Sequence, residues 1–373
     1  MKKKGLILFL IASMTIYFCS SNPSIVDPTL GDRLQSTLEN ALSKCQNARG
    51  ATTAVSIPGK TVWVGASGYS GPTEADKMRP EMLFEIGKTK NTFTAALILK
   101  YVEEGLLSLE DPISNWITEY QNIDPGITVR QLLDHSSGIY DYASHYNYPM
   151  RYFFYYRTKE WTPESILTLF INEPYFSPGS NYWSSNTNYL LLQMIIDEIS
   201  NSDRIVQFRD RIFDPLSLSN TYIDYFEDIP ENEIAHGWYW DEQGIYVDIY
   251  PEARTAWATF NRLSIFTSAE DILKWYKALF EGQVINQSSL NDMTSFKYVI
   301  GNQYDLGIAI EQTTYKGMEV WSNKSTVFGY ETRVLYIPEL NVYASLMCNF
   351  NGDGLIKIMP RLLDVVLEEL GEN

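Results

Sequence analysis

The chain has 373 residues, 45% of them hydrophobic, and its 29 Lys and Arg stand against 46 Asp and Glu for a net charge of −17. That is enough apolar material for one large domain or two interlocked lobes, and with 26 Tyr and 9 Trp it excludes intrinsic disorder. The acidic balance argues against nucleic acid, or an anionic membrane face, as the main partner.

Residues 1–19 read as an export signal. Lys2, Lys3 and Lys4 precede an apolar run from Gly5 to Phe18, which is short for a membrane span. Cys19, followed by Ser20 and Ser21, stands where a lipoprotein leader is cleaved and lipidated, although Phe18 is bulky where a small residue is usual. Ordinary cleavage a little further on is the alternative. The expected location is the periplasm, the outer membrane as a lipoprotein, or the cell surface, with membrane contact only through a lipid. Residues 20–31 read as a linker and 32–373 as one domain. Cys45 and Cys348 remain, either a pair that an oxidising compartment could bridge or two buried thiols.

Asp32 to Cys45 predicts a helix with Leu34, Leu38 and Leu42 on one side. Thr52 to Ile57 and Thr61 to Ala66 predict a hairpin turned at Pro58-Gly59-Lys60. The organising stretch follows at Phe84 to Gly105. From Thr92 to Val102 it is apolar almost all round, which describes a helix buried on every side, with Gly105 as its stop. Gly87 allows a tight strand-to-helix turn, and the first helical turn presents unpaired N–H groups and a positive dipole end. An enzyme would put a nucleophile there.

This stretch resembles F-x-I-G-S-x-x-K-x-F-T-A of the class C serine β-lactamases and the related DD-peptidases and esterases, in which Ser attacks a carbonyl and Lys takes its proton. Phe84, Ile86, Gly87, Phe93, Thr94 and Ala95 match, but Lys88 stands at the nucleophile's position and Asn91 at the lysine's. The resemblance continues through Ile127 to Gly138, and through Tyr182 to Ile199. There the family's Y-S-N-x-x-Y has Ser184 at the Tyr position and keeps Asn186 and Tyr189. Phe208 to Tyr222 and Leu263 to Phe280, the latter capped by Ser268, also resemble it. Ser322 to Tyr330 aligns with the third motif, H-x-G or K-T-G, with Asn323 at the His/Lys position and Ser325 at the Gly position. A shift by one residue would offer Lys324-Ser325-Thr326 instead, against the match on both sides.

The resemblance spans about Val55 to Leu370. It implies an α/β (α+β) fold of the β-lactamase/transpeptidase type. In that fold a central antiparallel sheet is built from both chain ends and flanked by helices, with a mostly helical lobe at about 84–280 inserted between them. It implies no cofactor.

His135 is read as structural, bonding the turn backbone, because no partner motif sits beside it. Ile139 to Trp161 carries Tyr140, Tyr142, Tyr146, Tyr148, Tyr152, Tyr155 and Tyr156 with Phe153 and Phe154, without a helical or alternating period. This reads as a loop whose rings either face the cleft mouth, where they could hold glycan or peptide, or pack on each other. Thr162 and Pro163 start a helix through Phe170, and Asp228 to Tyr250 reads as irregular with short strands. Tyr304 to Ile310, Glu319 to Trp321, Arg333 to Ile337 and Val342 to Cys348 are strand candidates. One closing helix is expected from Leu355 to Leu370. His135, His145 and His236 lack the spacing of a metal site, and no phosphate-binding glycine loop occurs.

All three motifs are thus altered at functional positions, and no Ser stands three residues before a Lys anywhere in the chain. Thr89 and Thr92 are turned away by the helix's rotation of about 100° per residue. Lys88 acting as a nucleophile would form amides that do not turn over, and Lys90 adds charge rather than a base. Removing one member of a nucleophile–base unit costs on the order of 10⁶ in turnover. The expectation is therefore an exported protein without intact catalytic residues that binds a cell-wall peptide, a glycan or a protein partner. One alternative is a serine hydrolase (β-lactamase, DD-carboxypeptidase or esterase) using a displaced hydroxyl, and another is a structural surface protein with a filled cleft. Lys88 itself would suit an anionic ligand or a salt bridge to a nearby acid.

Overall fold

Leu34, Leu38 and Leu42 recur every fourth residue and are all buried, so the first helix, α1 (Pro28–Leu42), lies with that stripe against the sheet. The structure, a computed structural model, describes residues 28–146, 161–224, 226–240, 244–250, 263–300 and 304–372. Cys19 and the rest of residues 1–19, read above as an export signal, lie outside these residues, as do Tyr148, Tyr152, Phe153, Phe154, Tyr155 and Tyr156. Helix α1 begins inside the stretch read as linker, since Pro28 suits a first helical turn.

The hairpin strands are β1 (Gly50–Ser56) and β2 (Trp63–Gly68), with Ala51 opposite Ser67 and Val55 opposite Trp63. The short strand β3 (Phe84–Glu85) leads through a tight turn, Gly87–Lys90, into α2 (Asn91–Glu103). The helical lobe continues with α3 (Val129–Leu133), α4 (Pro163–Leu169), α5 (Asn186–Ser200) and α6 (Arg204–Phe208). Then come β4 (Thr221–Ile223), the ribbon β5 (Trp238–Trp240) and β6 (Tyr246–Asp248), β7 (Ile265–Thr267), α7 (Ala269–Phe280) and α8 (Gln287–Met293). The second half of the main sheet follows as β8 (Tyr298–Ile300), β9 (Tyr304–Leu306), β10 (Glu311–Tyr315), β11 (Met318–Val327), β12 (Tyr330–Ile337) and β13 (Val342–Cys348). Helices α9 (Gly354–Lys357) and α10 (Met359–Leu370) close the chain.

The main sheet runs β2-β1-β13-β12-β11-β10-β9-β8, antiparallel throughout, so strands from both chain ends meet at the β1–β13 pair. Every residue of β1 and β13 is buried because helices cover both faces: α1, α9 and α10 on one, α7 and the helical lobe on the other. This is why neither strand alternates in sequence. Pairing with β2 and β13 starts β1 two residues before its predicted range and ends it one residue before, and β10, polar along its length, is a strand the sequence reading does not contain. The expected single closing helix is broken between Lys357 and Met359. Pro360 lies in the first turn of α10 and cannot donate to a continuous helix.

Cys45 and Cys348 are free and buried, the second of the two arrangements considered for them. Burial, chiefly, pushes the Cys45 thiol up to about 11, and it raises Cys348 as well. Both are poor nucleophiles in that state.

Helix α2 is buried on all sides, as its composition requires. Phe93 stacks on Trp275 at 4.2 Å and meets Phe213 edge-on at 5.5 Å, while the Trp275 indole N–H donates to the Thr92 hydroxyl at 2.9 Å. These contacts lock α2 to α7, and with it the turn at Gly87. Phe93→Ala should therefore lower stability by about 3–5 kcal/mol, measured as a fall in the urea midpoint at unchanged slope.

Candidate functional site

The site is built on the turn after β3. Gly87 has φ +51°, and a Cβ there would come within 2.1 Å of Ser325 Oγ and 2.6 Å of Val327 Cγ1, so glycine is required both by conformation and by the approach of β11. The buried Glu85 carboxylate accepts the Gly87 N–H at 2.7 Å and the Ser264 hydroxyl at 3.3 Å. Burial pushes the Glu85 carboxyl up, and the Lys90 ammonium and the Gly87 N–H hold it back. Lys90 shows the converse: burial pushes its ammonium down and Glu85 opposes.

Four hydrogen bonds tie the three altered motifs to one another and to the loop before β10. The Lys88 N–H donates to Ser325 Oγ at 2.8 Å, and the Lys88 ammonium, which is exposed, donates to Ser184 Oγ at 3.3 Å. The Thr89 hydroxyl donates to Asn323 Oδ1 at 2.9 Å, and Asn323 Nδ2 donates to the Ala309 carbonyl at 2.9 Å. The Thr89 hydroxyl is thus buried and taken up by Asn323. Asn91 begins α2, and among the described residues nothing hydrogen-bonds its side chain. Lys88, Ser184, Asn323 and Ser325 therefore come together, while Asn91 does not join them.

Asn186 is also diverted. Its amide donates to both oxygens of Asp141, at 3.0 and 3.2 Å, and its backbone N–H to Asp141 Oδ1 at 3.0 Å. Nothing in the sequence singled out Asp141, because no motif or spacing connects it to the start of α5. The same loop is held by Thr187, whose hydroxyl donates to the Tyr140 carbonyl at 2.7 Å, and by Ser137, whose hydroxyl donates to Asn188 Oδ1 at 2.6 Å.

His135 adopts φ +60° and its Nδ1 accepts the Ser185 N–H at 3.3 Å and Asn188 Nδ2 at 2.9 Å. Two donors on Nδ1 place the ring proton on Nε2, in agreement with the expected bonding to the turn backbone. Burial, aided by the Lys88 charge, lowers its pKa to about 3. Among the described residues no cluster of His, Cys, Asp and Glu could hold a metal ion. A cavity of about 360 Å³ lies on the other side of this loop, between Asp124, Ile127, Ser137, Ile139 and Phe176, with Ser137, the donor to Asn188, in its wall.

An acyl-transfer site aims backbone N–H groups at the developing oxyanion. Here the N–H of residue 88 already has an acceptor in the Ser325 hydroxyl, and a lysine side chain extends from the same residue.

Two experiments test these contacts. The Ser325 clash adds to the positive-φ cost of a side chain at position 87, about 1–2 kcal/mol. Gly87→Ala should therefore destabilise by more than that amount, and Gly87→Ala/Ser325→Gly should recover part of the loss. For His135 the folded state resists protonation, so stability is full above the unfolded value near 6.5 and is lost progressively as pH falls toward about 3. His135→Asn, which tolerates the backbone and keeps an acceptor, should flatten the fall in melting temperature between pH 7 and pH 5.

The family profile described as Beta-lactamase matches residues 36–366. Penicillin-binding protein 4* of Bacillus subtilis is 26% identical over 290 residues, covering 72% of this chain and 61% of that protein. Protein flp of Staphylococcus aureus is 22% identical over 351 residues, covering 88% of this chain and 65% of that protein, so this chain spans under two thirds of the length of either relative. The D-amino acid amidase of Ochrobactrum anthropi superposes with a TM-score of 0.78 at 22% identity over 92% of this chain and 99% of its own, which is a likeness of fold.

Proposed function

We propose, from the premise that this chain belongs to the Beta-lactamase family, that it is an exported member in which the acyl-transfer cleft has become a binding site without turnover. The supporting observation is the Lys88–Ser325 contact: an amine replaces the attacking oxygen, and a hydroxyl occupies the N–H an oxyanion would need. Ligands of the proposed site are those a cleft of this kind can reach outside the cell, a cell-wall peptide, a glycan or a protein partner. The leader carries the protein out, and Cys19 is the candidate lipid anchor.

One contact favours a second reading. Ser184 Oγ lies 3.3 Å from the Lys88 ammonium, the arrangement a transposed Ser–Lys pair would have. Against it, Lys88 is exposed and acts here as the donor, and its own N–H is engaged by Ser325.

A fluorescent penicillin separates the two. The binding reading expects no label that survives denaturation, on the native chain or on Ser184→Ala. A covalent adduct on the native protein that is lost in Ser184→Ala would replace it with the transposed pair. Supplying the missing groups together, as Lys88→Ser/Asn91→Lys/Ser325→Gly, should produce slow labelling if the turn and N–H geometry persist.

A further inference from the structure

The loop between β13 and α9 holds the chain's single Asn-Gly step, Asn351-Gly352. Asn351 Nδ2 donates to the carbonyls of Val327 at 2.8 Å and Tyr330 at 3.1 Å, the pair that closes the β11–β12 hairpin. Asn351 Oδ1 accepts the Gly329 N–H at 2.5 Å, and the next N–H along the chain, that of Gly352, donates to Glu331 Oε1 at 3.1 Å. Burial pushes the Glu331 carboxyl up and the Gly352 N–H holds it back, so its carboxylate is a stronger base than an exposed one.

These groups stand as an intramolecular acyl transfer needs them. Attack by the Gly352 nitrogen on Asn351 Cγ closes a five-membered ring, and Gly352 has no side chain to obstruct it. Glu331 is placed to take the nitrogen's proton, and the Gly329 N–H lies on the oxygen where negative charge develops.

We propose that Asn351-Gly352 is a self-modification site, at which Glu331 promotes cyclisation of Asn351 to a succinimide, and that its conversion releases the β11–β12 hairpin from the Gly87 turn. The bond from the Gly352 nitrogen to Cγ forms as Glu331 takes the proton. The Cγ–Nδ2 bond then breaks, and Glu331 returns the proton to the departing nitrogen, which leaves as ammonia. Gly352 is exposed, so water reaches the ring and opens it to aspartate or isoaspartate. One water enters and one ammonia leaves. The product carboxylate has no hydrogen to give the Val327 and Tyr330 carbonyls, so the hairpin loses both bonds. Val327 Cγ1 lies 2.6 Å from where a Cβ on Gly87 would stand, and Ser325, two residues earlier on β11, accepts the Lys88 N–H. Loss of the clamp therefore loosens the contact that engages that N–H. This chemistry is independent of what the cleft binds.

A purely structural clamp would have the opposite effect, holding the amide away from the nitrogen, so the sign of the effect of folding decides. The full chain is incubated at mildly alkaline pH, native and unfolded in urea, and conversion of Asn351 is followed by peptide mass spectrometry and isoaspartate content. The native chain should convert at least about tenfold faster than the unfolded one. Glu331→Gln keeps an oxygen for the Gly352 N–H but removes the base, and should slow the native rate at least about tenfold while leaving the unfolded rate unchanged. After conversion the Lys88 amide hydrogen should exchange faster, and Asn351→Asp should reproduce this. A native rate at or below the unfolded rate overturns the proposal, and that comparison requires no variant to fold. So does a native rate indifferent to Glu331→Gln in a variant of unchanged melting temperature. Unaltered exchange at Lys88 after conversion overturns the release of the hairpin.

Discussion

The hydrogen bond from the Lys88 N–H to the Ser325 hydroxyl fixes how β11 meets the start of α2. It can form only because Gly87 has no side chain, and the φ of Gly87 is in turn held by the Glu85 carboxylate on its N–H. A buried donor left without a partner costs about 1–3 kcal/mol. The turn is therefore stabilised by an acceptor from inside the protein.

The same internal satisfaction recurs around the cleft. Asn323 has both ends of its amide occupied, Asn186 is clasped by Asp141, and the imidazole of His135 serves the Ser185 backbone. Each is a polar group that a binding or reacting ligand could have used, and each is turned inward. Among the described residues at the altered motif positions, the Lys88 ammonium is the charged group left exposed.

Much of this was legible in residue patterns. The all-round apolar character of Thr92 to Val102 specified a buried helix, the leucines of α1 a one-sided one, and Ser268 and Thr162 their helix starts. Strand limits were less so. The ends of β1 follow from the length of β13, nearly 300 residues away in sequence, and β10 is a polar strand that exists because β9 and β11 pair with it. The break before α10 could have been read from Pro360, but the surrounding apolar period masked it.

For the site the division is sharper. The sequence by itself determined that an amine and an amide stand where an attacking oxygen and its base are usual, since residue identity at an aligned position needs no coordinates. Only the tertiary structure decided what those residues touch. The partners of Lys88, Thr89 and Asn186 are Ser325, Asn323 and Asp141, separated from them by 237, 234 and 45 positions, and no local propensity encodes a contact between groups so far apart along the chain. The identities were written in the sequence, and the hydrogen bonds that take them up in the way distant strands and loops converge on one glycine turn.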